Sequence, residues 1–314
     1  MNKNLISLAC SFVCLTNQGF TAEQINPITI NLADIKGGDE WLKLNYEDCE
    51  NMKILNSIEP SQKAVPQNAV IDLIIPGKIG GQRVKINDNK TFASLKNMSA
   101  LRSIQFKSIN DVNVLMPSDC RGILFYLNSV KIIDLSGLDT SNTYDMQYMF
   151  GCCHNLMRID GIEDINTERV KDMKGMFLEC KNLLSLNLSG FNTVNVYNMS
   201  RMFEGCKNLS YLNLKNFDTR SVYDTNYMFS GCSSLSQIDF KDGEFAPREM
   251  ASYNYRSPQE PRKGTFKECI SLCSVPDLSN YRTEDTCTDD INCLNPAADD
   301  YDPVSDAYDA LDYI

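Results

Sequence analysis

Histidine is almost missing from this chain: its 314 residues contain one, His154. A Cys₂His₂ zinc site is therefore excluded, and a histidine base could only be that residue. Positive charge is also short, with 30 Lys and Arg against 41 Asp and Glu and a formal net charge of −11. Nucleic acids and anionic membrane surfaces attract basic patches, so this balance argues against both as partners. Past residue 22 no apolar run is long enough to span a bilayer. No phosphate-binding glycine loop and no paired-carboxylate constellation stands out, so neither a cofactor nor an enzymatic activity is expected.

What the chain does have is a recurring word. Residues 173–188 read Met-Lys-Gly-Met-Phe-Leu-Glu-Cys-Lys-Asn-Leu-Leu-Ser-Leu-Asn-Leu, and residues 199–214 read Met-Ser-Arg-Met-Phe-Glu-Gly-Cys-Lys-Asn-Leu-Ser-Tyr-Leu-Asn-Leu. The phenylalanine marks each copy, at Phe150, Phe177, Phe203, Phe229 and Phe266, with steps of 27, 26, 26 and 37 residues. A steady period in the range of about 20–50 residues identifies a solenoid. Two methionines precede most markers, as in Met173/Met176 and Met199/Met202. A cysteine follows three residues later (Cys153, Cys180, Cys206, Cys232, Cys269) and a leucine six residues later (Leu156, Leu183, Leu209, Leu235, Leu272). The alternating runs Leu186-Asn187-Leu188, Leu212-Asn213-Leu214 and Ile238-Asp239-Phe240 read as short strands with one buried face. The three- and four-residue steps of the Met-Met-Phe-Cys-Leu pattern point to a helical or 3₁₀ turn. One such unit cannot cover its own apolar side, so the units must stack, setting their strands in a parallel ladder along one face.

The unit at residues 186–206 resembles the 26-residue repeat of the BspA-like leucine-rich-repeat surface proteins, and the resemblance runs over about residues 70–278. It implies a leucine-rich-repeat solenoid, with the parallel β-ladder on one face and the helical or 3₁₀ turns on the other. It also implies an extracellular, non-enzymatic protein that binds other proteins, a host or matrix component among them. It carries over no particular binding residues.

In chain order, residues 1–22 hold Lys3 and an apolar run, the pattern of a secretory signal peptide; an amphipathic or unstructured N-terminus is the plainer alternative. Residues 23–69 carry no repeat word and are expected to form an N-terminal cap or an irregular subdomain. Residues 70–294 form the solenoid. Its first units are divergent, with Leu95 and Leu124 in the marker place; in the cleaner central array the 27-residue unit carries an extra residue near Gly161 that suggests a bulge. An insertion at about 241–264 interrupts the array. Residues 295–314 are an acidic tail.

Most singled-out residues have a structural explanation. The repeat core is expected from Phe150, Cys153, Phe177, Cys180, Phe203, Cys206, Phe229, Cys232, Phe266 and Cys269, the thiols packing as small apolar groups. Repeated Asx-Thr pairs (Asp139-Thr140, Asn166-Thr167, Asn192-Thr193, Asp218-Thr219) read as corners, since such side chains bond nearby main chain. The strand positions Asp134, Asp160, Asn187, Asn213, Asp239 and Asp277 are either an acidic strip for a cation or basic partner, or partners of one another between rungs. His154 beside Cys152 and Cys153 makes a poor dyad, because sequence neighbours rarely work as one.

Candidate partner contacts lie where the units differ: Arg158, Tyr211 and Gln237 on the strands, and Tyr253, Tyr255 and Arg256 in the insertion, which is either a recognition loop or an idle one. Cys287 and Cys293 are the disulfide to expect if the protein is exported. The expected function is a secreted or surface-exposed protein of interaction or adhesion; the alternative is an exported effector acting inside a host cell.

Overall fold

The computed structural model describes residues 28–34, 70–241, 245, 247 and 264–272. Its strands are β1 (Ile28–Asn31), β2 (Ile71–Pro76), β3 (Lys78–Ile79), β4 (Gln82–Arg83), β5 (Leu101–Lys107), β6 (Val114–Leu115), β7 (Ile132–Asp134), β8 (Leu138–Asp139), β9 (Arg158–Asp160), β10 (Ser185–Asn187), β11 (Tyr211–Leu214) and β12 (Gln237–Phe240). Successive turns of a solenoid lay one strand each beside the last, in parallel orders β1-β2-β5-β7-β9 and β10-β11-β12. The first rung comes from a segment with no repeat word, since β1 pairs with β2 from Ile28↔Ile71 to Asn31↔Ile74. β3 and β4 form a small antiparallel hairpin. No helix among the described residues is long and apolar enough to cross a membrane.

Alternation sets the two sides of each strand. The central residues Ile104, Ile133, Ile159, Leu186 and Leu212 are buried, while their neighbours face outward. A second parallel ladder runs elsewhere around the turn, through Asp119↔Asp145↔Asp172↔Asn198↔Asp224.

The core is a set of columns, each made by one repeat position. Phe150, Phe177, Phe203, Phe229 and Phe266 stack ring on ring, with centroids 5.5, 5.6, 5.5 and 5.1 Å apart and planes within 13°. Each column cysteine donates its thiol to the marker carbonyl one turn back: Cys180 to Phe150, Cys206 to Phe177, Cys232 to Phe203 and Cys269 to Phe229, at 3.0–3.1 Å. Cys153 does the same to Leu124, placing that leucine in the marker position. The thiol thus fills a small apolar space and adds a second donor to a phenylalanine carbonyl that already accepts the main-chain N–H three residues on.

The Asx-Thr corners join neighbouring turns. Thr193 Oγ1 donates to Asp218 O at 3.0 Å and accepts the Asp218 N–H at 2.7 Å; Thr167 does both with Asn192. The preceding Asx closes its own turn, as when Asn192 accepts from Val194 N at 3.2 Å.

Around the marker the chain makes a run of i→i+3 turns, for example Met149 N to Met146 O and Cys153 N to Phe150 O, not an α-helix. The reason is two left-handed residues per turn. Two before the marker these are Tyr148, Gly175, Arg201, Tyr227 and Gly264; two after it they are Cys152, Glu179, Gly205, Gly231 and Glu268, all with φ between 53° and 73°. A residue at positive φ ends a right-handed helix, so the segment can only bend.

The extra residue near Gly161 interrupts the strand ladder. Gly161 is left-handed at φ 69° and is followed by a 3₁₀ turn, Ile162–Asp164. A Cβ there would stand 2.8 Å from Ser136 N, so only glycine fits. Beyond it, β9 and β10 share no main-chain hydrogen bond.

Candidate interaction surfaces

The outward strand positions form the sheet face. Ser185, Tyr211 and Gln237 lie in register across β10, β11 and β12, and Arg158 holds the same place on β9. The structure brings Tyr211 and Gln237 together on one carboxylate: Tyr211 Oη donates to Asp239 at 2.9 Å and Gln237 Nε2 at 2.7 Å, with Lys215 at 3.5 Å. These donors hold the Asp239 carboxyl below its usual range. Arg158 stands apart, paired with Asp160 at 2.8 Å and with its side chain 62% exposed.

The polar column beside them is knit rung to rung. Gln105 donates to Asp134 at 2.8 Å and Asn213 to Asn187 at 2.9 Å. Burial opposes the Asp134 charge, but bonds from Ser136 and Gln105 and the nearby Arg158 bring its pKa below normal. The acidic-strip alternative loses ground here, because these carboxylates already have donors.

Three further features carry less signal in the sequence. Tyr144, Tyr197 and Tyr223 are exposed at one repeat phase, with Lys171 between them, and the Tyr197 and Tyr223 rings stack at 5.4 Å and 3°. Comparing the units reveals the phase, since each tyrosine stands just before the Asx of the second ladder. A cleft of about 690 Å³ opens beside the β3–β4 hairpin, lined by Lys78, Arg83, Asn113, Asp139, Ser141 and Asp164. Its Arg83 spans to Asp139 at 2.5 Å and to Asn113 O at 3.0 Å. Finally, Glu204 pairs with Arg201 at 3.0 Å on side chains only 13% and 14% exposed, and burial raises its pKa to about 7.

His154 leans edge-on against Tyr126 at 5.9 Å, and its buried Nε2 has no hydrogen-bond partner. Burial and then Lys181 lower its pKa. Cys153 beside it donates a hydrogen bond to Leu124 O, and burial pushes that thiol up to about 12, a poor nucleophile. Tyr253, Tyr255, Arg256, Asp277, Cys287 and Cys293 lie outside the described residues.

Residues 118–242 match the family model described as "Mycoplasma protein of unknown function, DUF285", on the stretch where the repeat word is cleanest. No curated protein matches the chain. The crystal structure of a TLR13–ssRNA13 complex is similar at 15% identity and a TM-score of 0.31, over 71% of this chain and 29% of that one. The chain thus spans under a third of that protein's length.

Proposed function

We propose that this is a secreted or surface-displayed, non-enzymatic protein of the BspA-like kind, which binds a protein partner through the sheet face of its solenoid. One observation carries the reading. The columns that hold the turns together repeat the same side chains, whereas the outward column Arg158, Ser185, Tyr211, Gln237 changes at every step. A rigid ladder with a varied, exposed row is how repeat scaffolds present a binding surface. The small likeness to TLR13 transfers no ligand to this chain.

The test is capture by the full chain from host-cell surface and matrix extracts, beside an Arg158→Glu, Tyr211→Ala, Gln237→Ala variant. The expected result is a protease-sensitive partner retained by the wild type and lost by the variant at unchanged melting temperature. Undiminished capture by the variant, or bound material released by ribonuclease in place of protease, overturns the reading.

A second reading, an exported effector working inside a host cell, draws on the thiols. Cys153, Cys180, Cys206 and Cys232 form no disulfide and serve as hydrogen-bond donors, which suits a reducing compartment. Sequencing the mature N-terminus from the culture medium separates the two. A cut near residues 19–22 supports the surface protein; an intact N-terminus on protein recovered from host cytosol supports the effector.

A further inference from the structure

The sheet face is open at one place. Every other pair of consecutive ladder strands from β1 to β12 is hydrogen-bonded, but no such bond joins the main chain of residues 157–161 to that of residues 184–188. Most Cα pairs between β9 and β10 are more than 8 Å apart, against a normal strand spacing of about 4.8 Å.

The opening is local. Inside, the rings of Phe150 and Phe177 stack at 5.5 Å and Cys180 reaches Phe150 O at 3.1 Å. Before the strands, Asn182 donates to Asn155 at 3.2 Å. After them, Thr167 and Asn192 bond in both directions at 3.1 and 2.8 Å. Only the strand step between those closed flanks is parted.

Gly161 explains it. In the turn before, Leu135 N follows its strand and donates to Asp160 O at 2.8 Å; in the turn after, Leu188 N donates to Asn213 O at 3.0 Å. The left-handed Gly161 takes that place in this turn, and no bond runs from it to Asn187 O.

Two strand edges are therefore left without a strand partner. Arg158 N and Asp160 O face β7, so Ile159 directs its N–H and C=O toward the opening. Leu184 O and Leu188 N face β11, so Ser185 and Asn187 direct theirs into it from the other side. At its rim stand Met157 and Leu184, 46% and 51% exposed. The same repeat position holds Arg102, Lys131, Ser210 and Ser236 in the other described turns, so among the described residues the apolar pair occurs only where the ladder is parted.

We infer that this seam receives an extended segment of the partner polypeptide, which pairs its main chain with Ile159 or with Ser185 and Asn187 and covers Met157 and Leu184 with an apolar side chain. An unpaired strand edge is a template for another strand, and addition of an extended peptide to such an edge gives affinity through main-chain bonds and specificity through flanking side chains. The inference rests on the sheet-face reading above and names the shape and chemistry of what binds there.

Two measurements on the full chain test it. Hydrogen exchange reads the amides directly: those of Ile159, Ser185 and Asn187 should exchange faster than those of Ile133 and Asn213. Deleting Gly161 restores the 26-residue step and should protect them. The binding probe is a displayed library of random peptides, selected on the wild type. Enriched peptides should carry an apolar residue and should slow exchange at the three amides. They should lose binding when proline replaces a pairing residue, and lose about tenfold or more on the Met157→Ser, Leu184→Ser variant, which copies Ser210 and Ser236.

Three amides as protected in the free protein as their neighbours would end the inference. So would a library that enriches nothing, or peptides that bind the Ser variant and the wild type alike. The protein partner separates this inference from the one beneath it. Capture lost in the Arg158/Tyr211/Gln237 variant but kept when the seam is closed or its rim is changed leaves the sheet face standing and removes the seam.

Discussion

The same three repeat positions, two before the marker and one and two after it, are filled with oil in one part of the solenoid and with charge in another. Around Leu124, Phe150 and Phe177 they hold Phe125, Tyr148, Cys152 and Leu178, a small buried cluster separate from the main core, with Glu179 beside it at the edge of the charged part. Around Phe203 and Phe229 they hold Arg201, Glu204 and Tyr227, with the Arg201 guanidinium over the Tyr227 ring at 5.1 Å and bonded to Glu204. The backbone is the same in both: Tyr148, Arg201 and Tyr227 have φ of 53°, 58° and 54°. The Phe column allows no such freedom, because each ring is the floor of one neighbour and the roof of the next. At three outer steps a large side chain covers the glycine of the next turn, while Arg201 and Tyr227 are both large and pack one over the other. Tyr148 lies where a Cβ on Gly175 would stand, Glu179 where one on Gly205 would, and Tyr227 2.7 Å from where one on Gly264 would. Size is constrained along this column; polarity is not.

The harshest way to break the contrast is to put a charge into the apolar part. Leu178 is fully buried and is followed by Glu179. Leu178→Glu brings a carboxylate there with no cation among the cluster residues. We expect a loss of about 3–5 kcal/mol in urea unfolding; a loss under about 1 kcal/mol would show that this cluster tolerates charge as the later turns do.

The reverse change should be milder. Glu204→Leu leaves Arg201 without its carboxylate and should lower stability by about 2–3 kcal/mol, less than for a fully dry pair. Adding Arg201→Leu should recover most of that loss, since a buried ion pair replaced on both sides by apolar groups is near neutral. If the double variant is the less stable of the two, the ionic cluster holds the turns together in a way the apolar one does not.

How much of this was legible follows from the same distinction. The Phe, Cys and Thr columns could be read because stacking sets like upon like, so one residue type recurs at one phase. The bends around the marker could not. Their left-handed positions hold Tyr, Arg, Cys and Glu as well as Gly, and only Gly175, Gly205, Gly231 and Gly264, compared across units, hint at them. The exposed row Tyr144, Tyr197, Tyr223 was hidden by Lys171 in the middle of it. The extra residue at Gly161 was visible and suggested a bulge, but a count of residues does not say that two strands part. Arg158, Tyr211 and Gln237 stand out as candidates by their variation; that Tyr211 and Gln237 share Asp239 while Arg158 lies across the seam is seen only in the fold.

Titration sharpens the comparison further, because only the charged part should respond near neutrality. Burial raises the Glu204 pKa to about 7, above an unfolded value of about 4.3. The folded state therefore holds this proton more tightly. Stability is full below the unfolded value, falls as pH rises toward 7, and is level above it. Glu204→Gln should remove that fall. Its stability should fall by about 2–3 kcal/mol less than the wild type's between pH 4 and pH 8, the fall that remains coming from Asp172, whose pKa burial raises to about 6. Parallel wild-type and variant curves from pH 4 to pH 8 would mean that Glu204 is ionised in the fold throughout.

The smallest effect separates stacking from burial. Tyr197 and Tyr223 stack at 5.4 Å and 3°, nearly the geometry of Phe177 on Phe203 at 5.6 Å and 4°. Yet Tyr197 is 37% exposed and Phe203 is fully buried. Ring alignment in a solenoid is imposed by the one-turn repeat of the backbone, so it reports the spacing of the turns and not the energy gained. An exposed aromatic pair is worth about 0.5–1.5 kcal/mol at most beyond its area, and part of that area stays in water here. Tyr197→Ala should therefore cost under about 1 kcal/mol and leave the melting temperature nearly unchanged. A loss as large as that of a core phenylalanine would mean that the exposed rings, like the inner column, hold the turns together.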